Sequence, residues 1–232
     1  MRCFSTVSLP RVALSQASGR QALVVRLPAE KLNPEAFHGL LDSLCEADDA
    51  KMPVVLSASS PSPAPFCTGL DWSYVTKEVD RGAARECLLH ELELLAQVVL
   101  FMWNFPFPVI AAVTGDASRE GACLAQACDG RVVLNGHGVV PLSNNSFVLP
   151  PSVCTVAVQE CLSNLEEVHG REALVLQRAI DLATQASSVF AQEKKDRTAK
   201  SRKMVLERER YYSNVLLDAV FSDWETMRRL IN

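Results

Sequence analysis

Apolar and polar positions follow each other along the first two thirds of the chain in a pattern of strands separated by helices. Helices are expected where apolar residues recur at helical spacing: from Pro34 after the N-cap residue Asn33, at Glu86–Trp103 and at Gly121–Cys128. Short, nearly continuous apolar runs predict buried strands: Ala22–Leu27, Pro53–Ser57, Val109–Val113, Arg131–Leu134 and Asn145–Leu149. Because such strands occur in parallel sheets covered on both faces, the pattern predicts an α/β fold.

Beyond Pro151 the pattern predicts helix alone. We expect a helix from Pro151, a long one at Glu172–Ala191, another at Ser201–Ala219 and a short one at Trp224–Ile231. We therefore predict a core at residues 21–151 and a helical C-terminal region at residues 152–232 that serves packing or oligomerisation. A solvated helix face is the expected explanation for a basic cluster in this region: Lys194, Lys195, Arg197, Lys200, Arg202 and Lys203.

The N-terminal segment differs in composition from the rest of the chain. Its first 29 residues contain no Asp or Glu, but they include four arginines and four serines. Such a composition is typical of a mitochondrial presequence, and a disordered tail is the alternative for residues 1–20. We therefore expect a mitochondrial, matrix-side location.

Charge, hydropathy and cysteine spacing exclude several classes of protein. The net charge of −4 gives no reason to expect a nucleic-acid partner. No apolar stretch reaches the roughly 18–20 residues of a membrane-spanning helix. The eight cysteines include no pair at zinc-site spacing, so we predict no metal site and no resident cofactor. Cys123 and Cys128 are expected to be small core residues.

Two segments carry candidate chemistry, because each is a tight turn that follows a strand. They read FCTGLDW, at Phe66–Trp72, and FPVIAAVTGDASREGACLAQACD, at Phe107–Asp129. A small residue in such a turn lets the backbone expose an N–H group. Two N–H groups directed at one point would form an oxyanion hole, which stabilises a thioester enolate.

Together the two segments resemble the crotonase (enoyl-CoA hydratase/isomerase) superfamily, whose patterns are FSAGxD and PVIAAVNGxAxGGGxxLAxxCD. The Gly-Leu-Asp form of the first is most similar to mitochondrial Δ3,Δ2-enoyl-CoA isomerases, and the similarity extends from about Gln21 to Asn145. The resemblance implies a ClpP/crotonase-like core of repeated ββα units and a coenzyme A thioester as ligand. It also implies oxyanion donors in the backbone N–H groups of Leu70 and of the run Arg119-Glu120-Gly121.

The sequence departs from the family at the positions where chemistry would occur. The two family glutamates fall on Cys123 and Asn145, so both carboxylates are missing, and the amide of Asn145 has no basic lone pair with which to take a proton at neutral pH. Arg119 and Glu120 replace glycines, so we expect backbone strain there. We also expect the Glu120 side chain to intrude into the acyl site, where a carboxylate about 4 Å from the enolate oxygen would cost about 4 kcal/mol.

Two functional hypotheses follow. The first is a catalytically inactive relative that serves as a structural or scaffold subunit, in a homo- or hetero-oligomer or in a larger mitochondrial assembly such as a respiratory complex or the mitoribosome. In that case the altered turn argues against binding of a coenzyme A thioester. The second is a divergent enoyl-CoA isomerase or hydratase of fatty-acid β-oxidation that uses a relocated acid, Glu120 or Asp116.

Overall fold

A parallel sheet lies at the centre of the computed structural model, which describes residues 11–15, 21–27, 31–58, 65–78, 80–139, 165–185 and 189–221. Within these residues the sheet has six strands in the order β1-β2-β4-β6-β7-β8. A separate pair of short parallel strands, β3 and β5, lies beside the candidate site. The strands are β1 (Arg11–Ser15), β2 (Gln21–Arg26), β3 (Lys31–Leu32), β4 (Val54–Ser57), β5 (Gly69–Leu70), β6 (Val109–Val113), β7 (Gly130–Leu134) and β8 (Leu165–Val168).

The helices of the described residues cover this sheet. The first begins as predicted, because Pro34 fills its first position and Asn33 Oδ1 accepts a hydrogen bond from the Ala36 N–H at 2.9 Å. Among the described residues, no helix is long and apolar enough to cross a membrane. They are α1 (Pro34–Asp49), α2 (Trp72–Thr76), α3 (Arg81–Asn104), α4 (Arg119–Ala127), α5 (Glu172–Thr184) and α6 (Phe190–Phe221).

Alternating side chains of the strands build two apolar layers, one on each face of the sheet. In β6, Val109, Ala111 and Val113 join the larger layer with α1, α3 and α4, whereas Ile110 and Ala112 face the smaller layer under α5. The strands from β2 to β8 pair in parallel, and β1 is antiparallel to β2. The predicted α/β fold with a parallel sheet covered on both faces is therefore confirmed.

The pattern predicted helix alone in the C-terminal region, and this prediction is wrong at one segment. Residues Leu165–Val168 form β8, which pairs with β7. This strand is exposed or half-buried and carries two glutamates, so it lacks the apolar run that identified the inner strands. The helix predicted at Glu172–Ala191 ends at Thr184, and α6 begins at Phe190.

Outside the described residues lie the predicted strand Asn145–Leu149, the helices at Pro151 and Trp224–Ile231, and the boundary at 151.

The N-terminal segment also contributes to the sheet. Arg11–Ser15 forms β1, which pairs with Gln21–Arg26 in register from Arg11 opposite Val25 to Ser15 opposite Gln21. The alternative of a disordered tail over residues 1–20 is therefore wrong for these five residues. The targeting interpretation stays a prediction.

A buried ion pair attaches α6 to the core. Lys194 Nζ lies 2.6 Å from Asp129 Oδ2, and the two side chains are only 2% and 5% exposed. Lys194 also donates to the Phe107 carbonyl at 3.2 Å, and Arg197 Nη2 lies 2.7 Å from Asp129 Oδ1. The expectation of a solvated basic face is therefore wrong at Lys194, because this lysine turns inward to meet a carboxylate that the apolar core encloses.

Candidate functional site

The two turns identified in the sequence lie against each other. The Ser118 N–H donates to the Cys67 carbonyl at 3.0 Å, and Cys67 forms an isolated parallel bridge with Ala117. Gly121, in the first turn of α4, lies so close that a Cβ there would be 2.2 Å from the Cys67 oxygen. Glycine at position 121 therefore permits the close packing that brings the start of α4 to the Leu70 amide.

The side chain of Glu120 occupies the space in front of that amide. The Leu70 N–H donates to Glu120 Oε2 at 3.0 Å, and Glu120 is fully buried. Gly69 has a φ of +113°, and a Cβ at this position would lie only 2.1 Å from the same carboxylate oxygen. Glu120 therefore reaches the Leu70 amide, and the glycine before Leu70 makes the room for it; that this space is an acyl site stays a prediction.

Backbone donors from both turns act on this carboxylate. Burial raises the pKa of Glu120, and this effect outweighs the lowering by hydrogen bonds from the N–H groups of Leu70 and of Glu120 itself and by the charge of Arg119. By the resemblance stated above, these two N–H groups are the expected oxyanion donors. The structure places a carboxyl group of the chain itself in front of the Leu70 donor.

Arg119 begins α4 in a backbone conformation that glycine favours. Its φ is +52°, in the left-handed region that costs a non-glycine residue about 1–2 kcal/mol. The expected strain is therefore confirmed at Arg119, the residue before Glu120. Its exposed side chain places the guanidinium 5.8 Å from the centre of the Trp72 ring, a cation–π contact that connects α4 to α2.

Neither Cys123 nor Asp116 joins Glu120 in an acid–base arrangement. Cys123 is fully buried in the larger apolar layer, as a core residue would be. Asp116 is exposed, and its Oδ1 accepts from the Gly138 N–H at 3.0 Å and lies 3.4 Å from His137 Nδ1. Asp116 therefore stabilises a turn. Asn145 lies outside the described residues.

Glu91 is a buried acid of this site that the sequence interpretation missed. It is fully buried on α3, and neither of its carboxyl oxygens has a hydrogen-bond partner among the described residues. Burial raises the pKa of Glu91 to about 8, and repulsion from Asp71 and Glu120 adds to the rise. The spacing from Leu88 and Leu95, three residues before and four after, places Glu91 on the apolar face of the helix and could have revealed it.

The site offers no evident place for a metal ion. Within the described part of the chain, no group of three or more His, Cys, Asp or Glu side chains could hold one.

Asp71, which follows Leu70, accepts from the Ser73 N–H at 3.2 Å and from the Ser73 hydroxyl at 2.7 Å, and so caps α2. Its role is to hold the loop that presents the Leu70 amide.

Solved structures share this architecture over nearly the whole chain. The human mitochondrial Δ3,Δ2-enoyl-CoA isomerase superposes with a TM-score of 0.70 at 12% identity, covering 95% of each chain. An enoyl-CoA hydratase from Bacillus halodurans gives a TM-score of 0.65 at 16% identity, covering 95% of this chain and 98% of its own. At these identities the likeness shows the fold alone. The fold is crotonase-like.

Sequence comparison gives matches over part of the chain. A candidate enoyl-CoA hydratase of Thermus thermophilus is 35% identical over 100 residues, which are 42% of this chain and 38% of the relative. A second candidate enoyl-CoA hydratase, EchA12 of Mycobacterium leprae, is 31% identical over 121 residues, 47% of this chain and 41% of the relative. Over these segments the chain is similar in sequence to enoyl-CoA hydratases. No protein-family model matches it, and it spans about two fifths of the length of these relatives.

Proposed function

We propose that this crotonase-fold protein is catalytically inactive and serves as a structural or scaffold subunit of a mitochondrial assembly, such as a respiratory complex or the mitoribosome. The observation that carries the proposal is the hydrogen bond from the Leu70 N–H to Glu120 Oε2. An internal carboxylate holds the donor that a thioester oxygen would need, so the chain closes its own oxyanion hole.

The residues around the closed hole support the loss of catalysis. The first family acid position is Cys123, which is buried among apolar side chains. A thioester oxygen would have to displace a carboxyl group that is hydrogen-bonded and fully buried, and the displaced group would need a new partner. Loss of the acid and closure of the hole would each reduce catalysis.

The mitochondrial and scaffold parts of the proposal rest on other features. The N-terminal segment is rich in Arg and Ser and poor in acidic residues, which supports a mitochondrial address. The Gly-Leu-Asp turn resembles the mitochondrial isomerases. A fold that keeps its strand and turn segments while its chemistry is lost is suited to binding other subunits, in a homo- or hetero-oligomer.

An enzyme with a relocated acid is the second candidate, and one observation favours it. Glu91 and Glu120 are both buried, and the pKa of each is raised. Carboxyl groups with raised pKa values suit proton transfer near neutral pH. If this candidate were correct, Glu120 would have to leave the Leu70 amide when substrate binds.

Turnover assays distinguish the two candidates. The purified protein is incubated with a 2-enoyl-CoA and with a 3-enoyl-CoA, alongside Glu120→Gln, Asp116→Asn and, as a matched control on α3, Glu93→Gln. We expect no turnover above background from any of them. A wild-type rate that Glu120→Gln or Asp116→Asn abolishes while Glu93→Gln preserves it would establish the divergent isomerase or hydratase and defeat our proposal.

The scaffold role is tested by native size. We expect the protein in a mitochondrial extract to migrate with a large assembly under native conditions. Migration only as a free homotrimer would contradict the scaffold role, and its absence from mitochondria would contradict the location. Neither result would bear on the closed oxyanion hole.

A further inference from the structure

Arg131 is a buried cation on an inner strand of the sheet. It is the second residue of β7, where it lies opposite Ala111 of β6 and Leu165 of β8. Because side chains alternate along a strand, Arg131 leaves the sheet on the same face as Val133, which belongs to the larger apolar layer. Only 3% of Arg131 is exposed, so its guanidinium group lies away from water on an apolar face.

The described part of the chain gives this guanidinium group no partner. Its Nη1 atom is buried without a hydrogen-bond partner, and Arg131 forms no ion pair or ring contact with a described residue. A guanidinium group does not lose its proton in proteins, so Arg131 cannot become neutral as a buried carboxyl group can. Since buried charges in proteins are paired, a buried arginine without a partner indicates that a counter-charge binds to it.

The carboxylates that the strands place near Arg131 do not supply this counter-charge. Asp129, two residues earlier in the chain, is paired with the lysine and the arginine of α6 described above. Glu166 of β8 is paired with Arg178 of α5, and it faces the smaller apolar layer on the other side of the sheet. Glu167, the other acid of β8, is exposed. Because none of the three is paired with Arg131, its charge needs a different anion.

We propose that Arg131 is the anchor of a binding site for an aliphatic monocarboxylate. One guanidinium group balances one negative charge, and its planar fork matches the two oxygens of a carboxylate. A phosphate group carries about 1.5–2 negative charges at neutral pH, and the excess charge would be costly among apolar side chains. The neighbours of Arg131 on its face of the sheet include the buried side chains of Ala111 and Val133, which suit an apolar chain. This proposal depends on neither candidate function.

Binding of hexanoate to the full-length protein tests the site. Isothermal titration calorimetry should show one hexanoate per chain, and the uncharged hexanamide should bind at least about tenfold more weakly, because it lacks the charge that Arg131 needs. Arg131→Met should abolish hexanoate binding, and Arg131→Lys, which keeps the charge but loses the fork, should weaken it. Arg26→Met is the matched control: Arg26 is an exposed arginine of β2, and its loss should leave binding unchanged.

Urea unfolding distinguishes a ligand site from an ion pair within the chain. Without added carboxylate, Arg131→Met removes a buried charge that has no partner, so the urea midpoint should stay the same or rise. Hexanoate should raise the midpoint of the wild type, because it binds the folded state, and should leave the midpoint of Arg131→Met unchanged.

The internal alternative is Glu160, the one acidic residue of the sequence between positions 140 and 164. If Glu160 were the partner, Arg131→Met and Glu160→Gln would each lower the urea midpoint, the double variant would lose little more than either one, and hexanoate would not bind. That result would overturn the site. Hexanoate binding that persists in Arg131→Met, or that is lost in Glu120→Gln instead, would place the ligand elsewhere and would also overturn it.

Discussion

Arg119 shows at the scale of one residue what it costs to replace the glycines of this turn. Its backbone has a φ of +52°, which glycine adopts freely and which an L side chain adopts only with strain. The strain persists because Ser118 before it and Glu120 after it are both held by hydrogen bonds to the other turn. The residue that follows the strained position is Glu120, whose carboxyl group accepts from the Leu70 N–H.

The strain can be measured by comparing glycine with alanine. Both Arg119→Gly and Arg119→Ala lose the contact with Trp72, but only glycine relieves the left-handed conformation. We expect Arg119→Gly to be more stable than Arg119→Ala by about 1 kcal/mol in urea unfolding. At the exposed helical position Lys195 the order should reverse by about 1 kcal/mol, since glycine is the poorer helix residue. If the alanine variant were the more stable one at position 119 as well as at position 195, Arg119 would not be strained.

At the scale of the element, the start of α4 is positioned by its contact with the loop that precedes β5. A Cβ on Gly121 would lie 2.2 Å from the Cys67 oxygen and 2.6 Å from the Cys67 Cβ, so the backbone itself would have to move. We expect Gly121→Ala to destabilise the fold by about 3 kcal/mol, the upper part of the range for overpacking. Gly138→Ala is the matched control, because nothing lies within 4 Å of its added Cβ. Thermal unfolding measures both, and equal melting temperatures would contradict the packing argument.

The elements that the sequence predicted well are those whose signal is local. The apolar run of β6 gave its bounds, Val109–Val113, and Asn33 with Pro34 gave the start of α1. The strand β8 was missed because an edge strand needs no apolar run, and its partner β7 lies more than thirty residues away in sequence. The site shows the same division: Leu70 and Glu120 were predicted from turn motifs, whereas the burial of Glu91 depends on helix packing.

At the scale of the whole molecule, α6 is joined to the core by contacts that no short motif could predict. Thr198 on this helix donates to the Trp103 carbonyl of α3 at 3.5 Å, and Val205 and Phe221 are buried in the larger apolar layer. The helix packs on α3, the helix that carries Glu91. A partner that binds α6 would therefore contact a helix that packs directly on α3.

The ion pair between Lys194 and Asp129 should control whether α6 stays attached. Removal of the ammonium group leaves the buried carboxylate of Asp129 with Arg197 and the Val109 N–H, which donates to Asp129 Oδ2 at 2.9 Å. Loss of one partner of a buried pair costs about 3–5 kcal/mol. Because Asp129 keeps these other contacts, we expect the lower end of that range. Lys194→Ala should therefore lower the free energy of unfolding in urea by about 3 kcal/mol. Lys195→Ala, an exposed neighbour on the same helix, should change stability by less than about 0.5 kcal/mol.

Limited proteolysis of the same variants locates the effect. If the pair attaches α6, trypsin should cleave Lys194→Ala first at the basic residues of this helix, while the core from β2 to β7 stays intact. Cleavage at the same rate in Lys194→Ala and Lys195→Ala would mean that the apolar contacts of Val205 and Phe221 hold the helix without the ion pair. In that case the buried lysine would serve to neutralise Asp129, and the apolar layer alone would join the C-terminal region to the sheet.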